Sequence, residues 1–402
     1  MAELRRVAVV GASLAGLRAV EALRARGFDG RIDWIGAESH EPYDRPPLSK
    51  QVLRGEWDTE RIVLARSGLA SLAAAQHFGR RALRLDAAAR RIEVDDGSPV
   101  AFDGLVIATG ATPRRLPGQP KLDGVFVLRT LDDALAIRRV LDAQPRVVVV
   151  GGGFIGAEVA ASCRQRGAAV TMVEALGNPL EQALGPELGA LFAAIHRDHG
   201  VDVRTGVAVA AIEGERHVER VRLADGGVLP ADLVVVGIGV RPETAWLEGS
   251  GVALQDGVVC DATCATNVPA VVAAGDVARW TNPRYGESMR VEHWTNAVEQ
   301  AGAAVARLLD GPEAARPFDP VPYVWSDQYD AKLAVAGRPR AGDEVHVVDG
   351  SFAERKFVAI YGRAGRLVGA VAMNRMRKHM DWRKALHEGI SWGEAVKRAV
   401  AK

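Results

Sequence analysis

A chain of 402 residues exceeds one ordinary domain, so two or three packed units with an ample core are expected. Its 51 lysines and arginines stand against 50 aspartates and glutamates, a balance that lacks the electrostatic footprint of a nucleic-acid-binding protein. No apolar run approaches the length of a bilayer span, and the N-terminus enters its first strand without a signal-peptide core, so a cytoplasmic protein with no membrane or nucleic-acid partner is expected.

In chain order, the apolar run 7–10 leads into Gly11-Ala-Ser-Leu-Ala-Gly16 and then a helical stretch. Glycines at such a strand-turn-helix junction let the backbone approach a pyrophosphate, whose charge then sits at the positive end of the helix. The strand expected at 31–35 leads to Glu38, 22 positions beyond Gly16, near the spacing at which a carboxylate accepts ribose hydroxyls. Ser13 stands where the pattern has its middle glycine, which makes this turn the weaker match. The unit closes on Leu105-Val-Ile-Ala-Thr-Gly110, and a second opens near Arg114 with the same plan. There the run 147–150 precedes Gly151-Gly-Gly-Phe-Ile-Gly156, and the strand at 169–173 ends on Glu174, 18 positions beyond Gly156. It closes on Leu233-Val-Val-Val-Gly-Ile-Gly239. Next comes Ala270-Val-Val-Ala-Ala-Gly275-Asp276, a buried strand with an acid at its carboxyl end, where α/β folds place ligand contacts. From Phe318 the pattern turns to alternating runs at 323–329, 332–336, 344–348, 357–361 and 367–371, which read as antiparallel strands before a terminal helix. Both signals occurring twice predict two bound dinucleotides, and therefore electron transfer from one cofactor to the other.

The cysteines mainly exclude. Cys163 falls in the helix after the second turn, where a small buried side chain is expected. Cys260 and Cys264 are four apart, outside any Cys-x-x-Cys motif and without a His or Cys pair to complete a metal site. No metal and no thiol relay are expected.

Several segments together carry a family resemblance: Glu41-Pro-Tyr-Asp-Arg-Pro-Pro-Leu-Ser-Lys50, Ala108-Thr-Gly110, Leu128-Arg-Thr130, Gly151 to Glu158, Ala274-Gly-Asp276 and Trp325-Ser-Asp-Gln-Tyr329. In this order the chain resembles, over nearly its whole length, the FAD-dependent, NADH-using ferredoxin reductases of bacterial haem monooxygenases and ring-hydroxylating dioxygenases. The resemblance implies an α/β fold of the glutathione reductase type. It has two Rossmann-like dinucleotide-binding domains, FAD at 1–112 and 241–317 and NAD at 113–240, with a C-terminal α+β domain at 318–402.

It also implies site residues. Gly11, Ser13 and Gly16 would lie at the FAD pyrophosphate, Glu38 near the adenosine ribose and Asp276 at the ribitol, with Ala15 and Gly275 also on the FAD. Arg45 and Lys50 would lie by the flavin and Arg129 near its phosphate or ring, with Ala82, Ala108, Thr109 and Gly110 also on the FAD. Trp294 would open a helix aimed at the pyrimidine end of the isoalloxazine, where a helix N-terminus stabilises the charge of reduction. On the NAD side the set is Gly151, Gly153, Phe154, Ile155, Gly156, Glu174 and Gly239. The implied catalytic residues are Lys50, Glu158, Pro47 and Trp325. Plainer roles stand beside these: a helix cap for Asp276, core for Trp325, a solvated loop for Arg45, and for Lys50 and Glu158 a surface ion pair worth at most about 1 kcal/mol.

The implied activity is hydride transfer from NADH to FAD, followed by single electrons to an iron-sulfur ferredoxin of the two-iron type. Glu174 is followed by Ala175-Leu-Gly-Asn, without the arginine that holds a 2′-phosphate, which favours NADH over NADPH. A basic stretch at 373–384 carries Arg375, Arg377, Lys378, Arg383 and Lys384 against Asp381, a net of plus four, and suits docking of an acidic ferredoxin as well as it suits a solvated helix face. Two other readings share the fold: an NADH-binding redox sensor resembling apoptosis-inducing factor, and a rubredoxin reductase. A thiol- or peroxide-linked flavin reductase needs a cysteine near the flavin, and Pro46-Pro-Leu-Ser-Lys50 has none.

Overall fold

Runs such as Val7-Ala-Val-Val10 and Val147-Val-Val-Val150 bury every residue, the pattern of parallel strands covered on both faces. The computed structural model describes residues 4–65 and 68–400. The chain divides into two units, one of Met1–Asp44, Val63–Thr112 and Arg241–Pro322, the other of Arg45–Ile62, Pro113–Val240 and Tyr323–Lys402.

The first unit is built on a five-stranded parallel sheet. In spatial order its strands are Val271–Ala273, Gly104–Ile107, Arg6–Val10, Arg31–Gly36 and Ala75–Phe78. One sheet face meets the helices Leu14–Ala25 and Trp294–Ala314 in a core that includes Leu17, Val20, Leu23, Val305 and Leu308. Ala8, Val10 and Ile107 point to the other face, against Leu85, Ile92 and Trp280. Trp280 donates its indole N–H to Phe318 O at 3.0 Å and Asn282 donates to Pro320 O at 3.2 Å, so the chain stays with this unit as far as Pro322.

The second unit repeats the plan with parallel strands Asp202–Thr205, Ala169–Glu174, Arg146–Val150, Leu233–Val236 and Val125–Val127. It adds an antiparallel sheet in the order Tyr323–Gln328, Ala331–Gly337, Arg366–Met373, Lys356–Arg363 and Glu344–Ser351. Helices Met376–Glu388 and Trp392–Val400 follow. The helix Phe154–Gln165 touches both the strand Ala169–Glu174 and the strand Tyr323–Gln328, and so ties the two sheets together. The short segment Arg45–Ile62, with Lys50, packs in this second unit. Among the described residues no helix is long and apolar enough to cross a membrane.

Candidate active site

In the first unit the turn after Arg6–Val10 has no room for a side chain at Gly11 or Gly16. Gly11 has φ +120, and a Cβ there would lie 2.0 Å from Ala108 O; at Gly16 a Cβ would lie 1.7 Å from Gly11 O. Only glycine allows the strand, turn and helix to close this tightly. Ser13 is in extended conformation as the residue before the helix Leu14–Ala25. Leu14, Ala15, Ala108 and Ala297 form one small cluster with Trp294 packed against it, so both helix starts converge on the end of the strand Gly104–Ile107. Gly275 (φ +78) joins them: a Cβ on it would meet that of Ala15 at 3.0 Å, and its N–H donates to Gln300 Oε1 at 2.9 Å. Asp276 follows in the same short turn.

The rest of this set is held more locally. Trp294 donates its indole N–H to Asp44 at 2.8 Å, and Glu38 accepts the Tyr43 hydroxyl. Thr109 Oγ1 donates to Glu243 O at 2.7 Å, and Gly110 O accepts the Glu243 N–H. Ala82 opens a three-stranded antiparallel sheet and packs on the opposite core, apart from the cluster around Ala15.

The second unit repeats the turn. A Cβ on Gly151 (φ +99) would lie 2.4 Å from Gly237 O, and one on Gly156 would lie 2.0 Å from Gly151 O. Gly153, just before the helix Phe154–Gln165, has open space where its Cβ would be. Glu174 is tied into the turn, accepting from Gly152 N at 2.6 Å through Oε2 and from Leu176 N at 2.8 Å through Oε1. Two carboxylate oxygens offer about four acceptor sites, so two remain for hydroxyl donors. Ile155 is exposed, Phe154 packs against the core below the C-terminal sheet, and Gly239 (φ +92) accepts the Arg114 N–H at 2.9 Å.

One turn into the same helix, Glu158 is 5% exposed, as is Lys50. Lys50 Nζ donates to Glu158 Oε2 at 2.7 Å. Pro46 and Pro47 start the short 3-10 turn Pro46–Ser49, and Lys50 N–H closes it on Pro47 O at 3.1 Å. A surface ion pair is therefore not what these residues form: the carboxylate is buried and also accepts from Ser49 Oγ at 2.5 Å and Ser326 Oγ at 2.7 Å. Ser162, one turn further along the helix, holds Ser49 O at 2.7 Å. Neither Ser49, Ser162 nor Ser326 stands out by residue type. The available signal was spacing: Glu158 and Ser162 are i and i+4 on one helix face, and Ser326 alternates with Trp325 along a strand.

Arg45 donates to Arg129 O at 2.5 Å, while Arg129 N–H and Thr130 N–H both go to Asp133 at the capped start of the helix Leu131–Leu141. Trp325 pairs with Ala334 across the strands, and its ring lies 6.1 Å from that of Tyr323, which Arg383 covers at 4.6 Å. Arg375 and Lys378 both pair with Asp349, Arg375 at 2.8 Å, and these cations hold the Asp349 carboxyl below its ordinary range, Lys378 first by hydrogen bonding. Arg377 is exposed.

Two glycine turns, each closed on a neighbouring strand and each opening a helix with no acid in its first turn, define a dinucleotide-dependent oxidoreductase fold. The residues fit the group such a fold implies. The close approaches at Gly11, Gly16, Gly151 and Gly156 each need a missing Cβ, and the N-terminus of a helix presents backbone N–H groups of the kind that suit a diphosphate.

The chain belongs to the pyridine nucleotide-disulphide oxidoreductase family, whose model matches residues 5–301; a reductase C-terminal model matches 323–399. The family uses FAD and NAD(H). The 5,5′-dehydrodivanillate O-demethylase ferredoxin reductase subunit of a Sphingobium species is 39% identical, with 95% of this chain and 93% of that protein covered. Putidaredoxin reductase of Pseudomonas putida is 35% identical over 92% of this chain and 88% of its own. A solved covalent putidaredoxin reductase–putidaredoxin complex superposes with a TM-score of 0.92 at 33% identity, covering 96% of this chain and 94% of the other. The relatives are thus ferredoxin reductases of oxygenase systems.

Cys163, Cys260 and Cys264 are buried and free, and burial pushes the first two up to about 12 and Cys264 well above its ordinary value.

Proposed function

We propose that this protein is an NADH:ferredoxin reductase that passes electrons, one at a time, to a two-iron ferredoxin serving a haem monooxygenase or ring-hydroxylating dioxygenase. The observation that carries the reading is the repeated glycine turn, closed on Ala108 in one unit and on Gly237 in the other, since two dinucleotide sites in a chain without a redox-active thiol imply electron flow between the dinucleotides and out to a partner. When bound, FAD supplies the conversion of a two-electron hydride donor into a one-electron donor.

The chain's own residues bind, orient and balance charge. Gly11, Ser13, Ala15 and Gly16 receive the FAD diphosphate, with Ala108, Thr109, Gly110, Gly275 and Asp276 along the ribitol side; Glu38 holds the ribose, and Ala82 belongs to the outer part of the same site. Trp294 sets its helix N-terminus toward the pyrimidine end, while Pro47, Arg45 and Arg129 shape the flavin side around Lys50. Gly151, Gly153, Ile155, Gly156 and Gly239 receive NADH, Phe154 covers its nicotinamide, and Glu174 accepts the ribose hydroxyls but repels a 2′-phosphate. Lys50 brings a cation to the reacting ring, and Glu158 limits its net charge and fixes its place. Trp325 lies on the exit side. The expected domain division, FAD at 1–112 and 241–317, NAD at 113–240 and a C-terminal domain at 318–402, assigns these roles to separate parts of the chain. Arg375, Arg377 and Lys378 steer the ferredoxin, supported by their position on and before one exposed helix and tempered by Asp349. A cytoplasmic setting accords with use of NADH.

The test is NADH-driven cytochrome c reduction with and without a panel of purified ferredoxins. A large ferredoxin-dependent increase supports the proposal; equal rates with and without every ferredoxin contradict it.

A further inference from the structure

Glu158 is the end of a buried chain of hydrogen bonds. Ser326 Oγ lies 2.7 Å from Glu158 Oε1, Gln328 Nε2 3.2 Å from Ser326 Oγ, His196 Nε2 3.0 Å from Gln328 Oε1, and Tyr329 Oη 3.1 Å from His196 Nδ1. Ser326, Gln328 and His196 are each 0% exposed. They come from two elements, the helix Pro186–Asp198 and the strand Tyr323–Gln328 with the turn after it.

Donor and acceptor chemistry allows one direction only. The Gln328 carbonyl oxygen accepts, so His196 must carry its proton on Nε2. Burial holds the imidazole neutral, lowering its pKa to about 4, so Nδ1 is bare and accepts the Tyr329 O–H. That phenol is kept protonated, its pKa raised chiefly by burial. Ser326 accepts from the Gln328 amide and therefore gives its own proton to the carboxylate. Every donor in the series points toward Glu158.

The outer end is maintained at a cost. Tyr329 has φ +55, a left-handed conformation that a bulky side chain rarely adopts, in the two-residue turn between Tyr323–Gln328 and Ala331–Gly337. Asparagine or glycine would suit this turn better. Tyrosine there places a hydroxyl on His196 and a ring against His199, stacked at 3.7 Å and 6°. Satisfying buried polar groups alone would be met as well by apolar residues of similar volume, whereas aligned donors ending on a carboxylate strengthen one another and hold it in one orientation.

We propose that Ser326, Gln328, His196 and Tyr329 are positioning residues for the Lys50–Glu158 pair, an aligned series that holds the Glu158 carboxylate toward Lys50 and thereby sets the flavin midpoint potential and nicotinamide affinity. This rests on the reading of that pair as the charge at the reacting ring. Without the donor on Oε1, Glu158 turns from Lys50 and balances its charge less well. The cation then favours the anionic reduced flavin, so the potential moves upward, in the direction set by Glu158→Gln.

The experiment measures the midpoint potential of the FAD-loaded protein and its NADH Kd for the wild type and for Lys50→Met, Glu158→Gln, Ser326→Ala, Ser326→Thr and His196→Phe. The ¹⁵N shifts of His196 report its tautomer. Expected results are a protonated Nε2 and bare Nδ1 in the wild type, Ser326→Ala and His196→Phe moving the potential upward by part of the Glu158→Gln shift, and Ser326→Thr, which keeps the hydroxyl, returning it to the wild-type value. His196→Gln, with a smaller volume change, replaces the Phe variant if that one fails to fold, and is expected to shift the potential the same way. If Lys50→Met leaves the potential unchanged, the pair is not at the flavin and the functional reading falls with the proposal. If Lys50→Met shifts it while Ser326→Ala and the His196 variants do not, the pair stands and the positioning series is overturned, as it is by a protonated Nδ1.

Discussion

Removing the Glu158 side chain would leave Lys50 with a buried ammonium, 6% exposed at its side chain, whose hydrogen bond to that carboxylate is lost. Ser49 and Ser326 would lose the same acceptor. Breaking a buried ion pair from one side costs about 3–5 kcal/mol, because the remaining charge stays desolvated. At roughly 2–4 °C per kcal/mol for a body of this size, the lower bound alone lowers Tm by roughly 6–12 °C. The double variant Lys50→Met/Glu158→Ala removes the stranded charge and puts a thioether of similar length in its place, so it should be more stable than Glu158→Ala alone although it has lost more polar contacts. The assay is thermal unfolding by circular dichroism with FAD in excess and one scan rate for all variants. A Tm within about 2 °C of wild type for Glu158→Ala, or a double variant no more stable than the single one, would refute the picture of a buried lysine dependent on one carboxylate.

Four further outcomes are expected. With Glu174 at the ribose, as proposed, its carboxylate would repel a second phosphate, so kcat/KM should favour NADH over NADPH by at least about tenfold, or roughly 1.4 kcal/mol, and equal efficiencies would contradict this. Gly156→Ala would place a Cβ 2.0 Å from Gly151 O, so NADH-dependent flavin reduction should be lost while FAD content, measured by absorbance, is kept. Charge reversal at Arg375, Arg377 and Lys378 together should lower ferredoxin-coupled cytochrome c reduction relative to ferricyanide reduction and flatten its salt dependence; parallel loss of both activities would point to misfolding. His196 has its pKa lowered from 6.5 to about 4 in the folded chain, so the unfolded state binds the proton more readily. Stability is full above about pH 6.5 and falls as pH drops toward 4, by up to roughly 3 kcal/mol. His196→Phe should flatten that acid limb in urea unfolding.

The glycine turns were legible in the sequence because their cause is local: a left-handed φ at Gly11 and Gly151 and a missing Cβ at Gly16 and Gly156 are properties of a few consecutive residues. The parallel strands were legible for a similar reason, since Val7 to Val10 and Val147 to Val150 are apolar on both faces. What surrounds Glu158 was not legible. Ser49, Ser162 and Ser326 are ordinary residues far apart in the chain, brought together only when the helix Phe154–Gln165 packs against both the turn Pro46–Ser49 and the strand Tyr323–Gln328. The surface-pair alternative for Lys50 and Glu158 failed on burial, which no local pattern reveals. The plus-four stretch was read without its counter-ion, because Asp349 enters from a neighbouring strand, outside the counted segment.

In the proposed reaction NADH delivers two electrons as a hydride, and they leave this protein singly for an iron-sulfur partner. The most direct measurement is anaerobic stopped-flow mixing of the FAD-loaded protein with one equivalent of NADH, followed by two equivalents of oxidised ferredoxin, with flavin and iron-sulfur absorbance recorded together. The expected result is rapid flavin bleaching on the first mix, then reoxidation of the flavin matched by reduction of two ferredoxins per NADH. A flavin that bleaches with NADH but stays reduced in the presence of every candidate ferredoxin would contradict it.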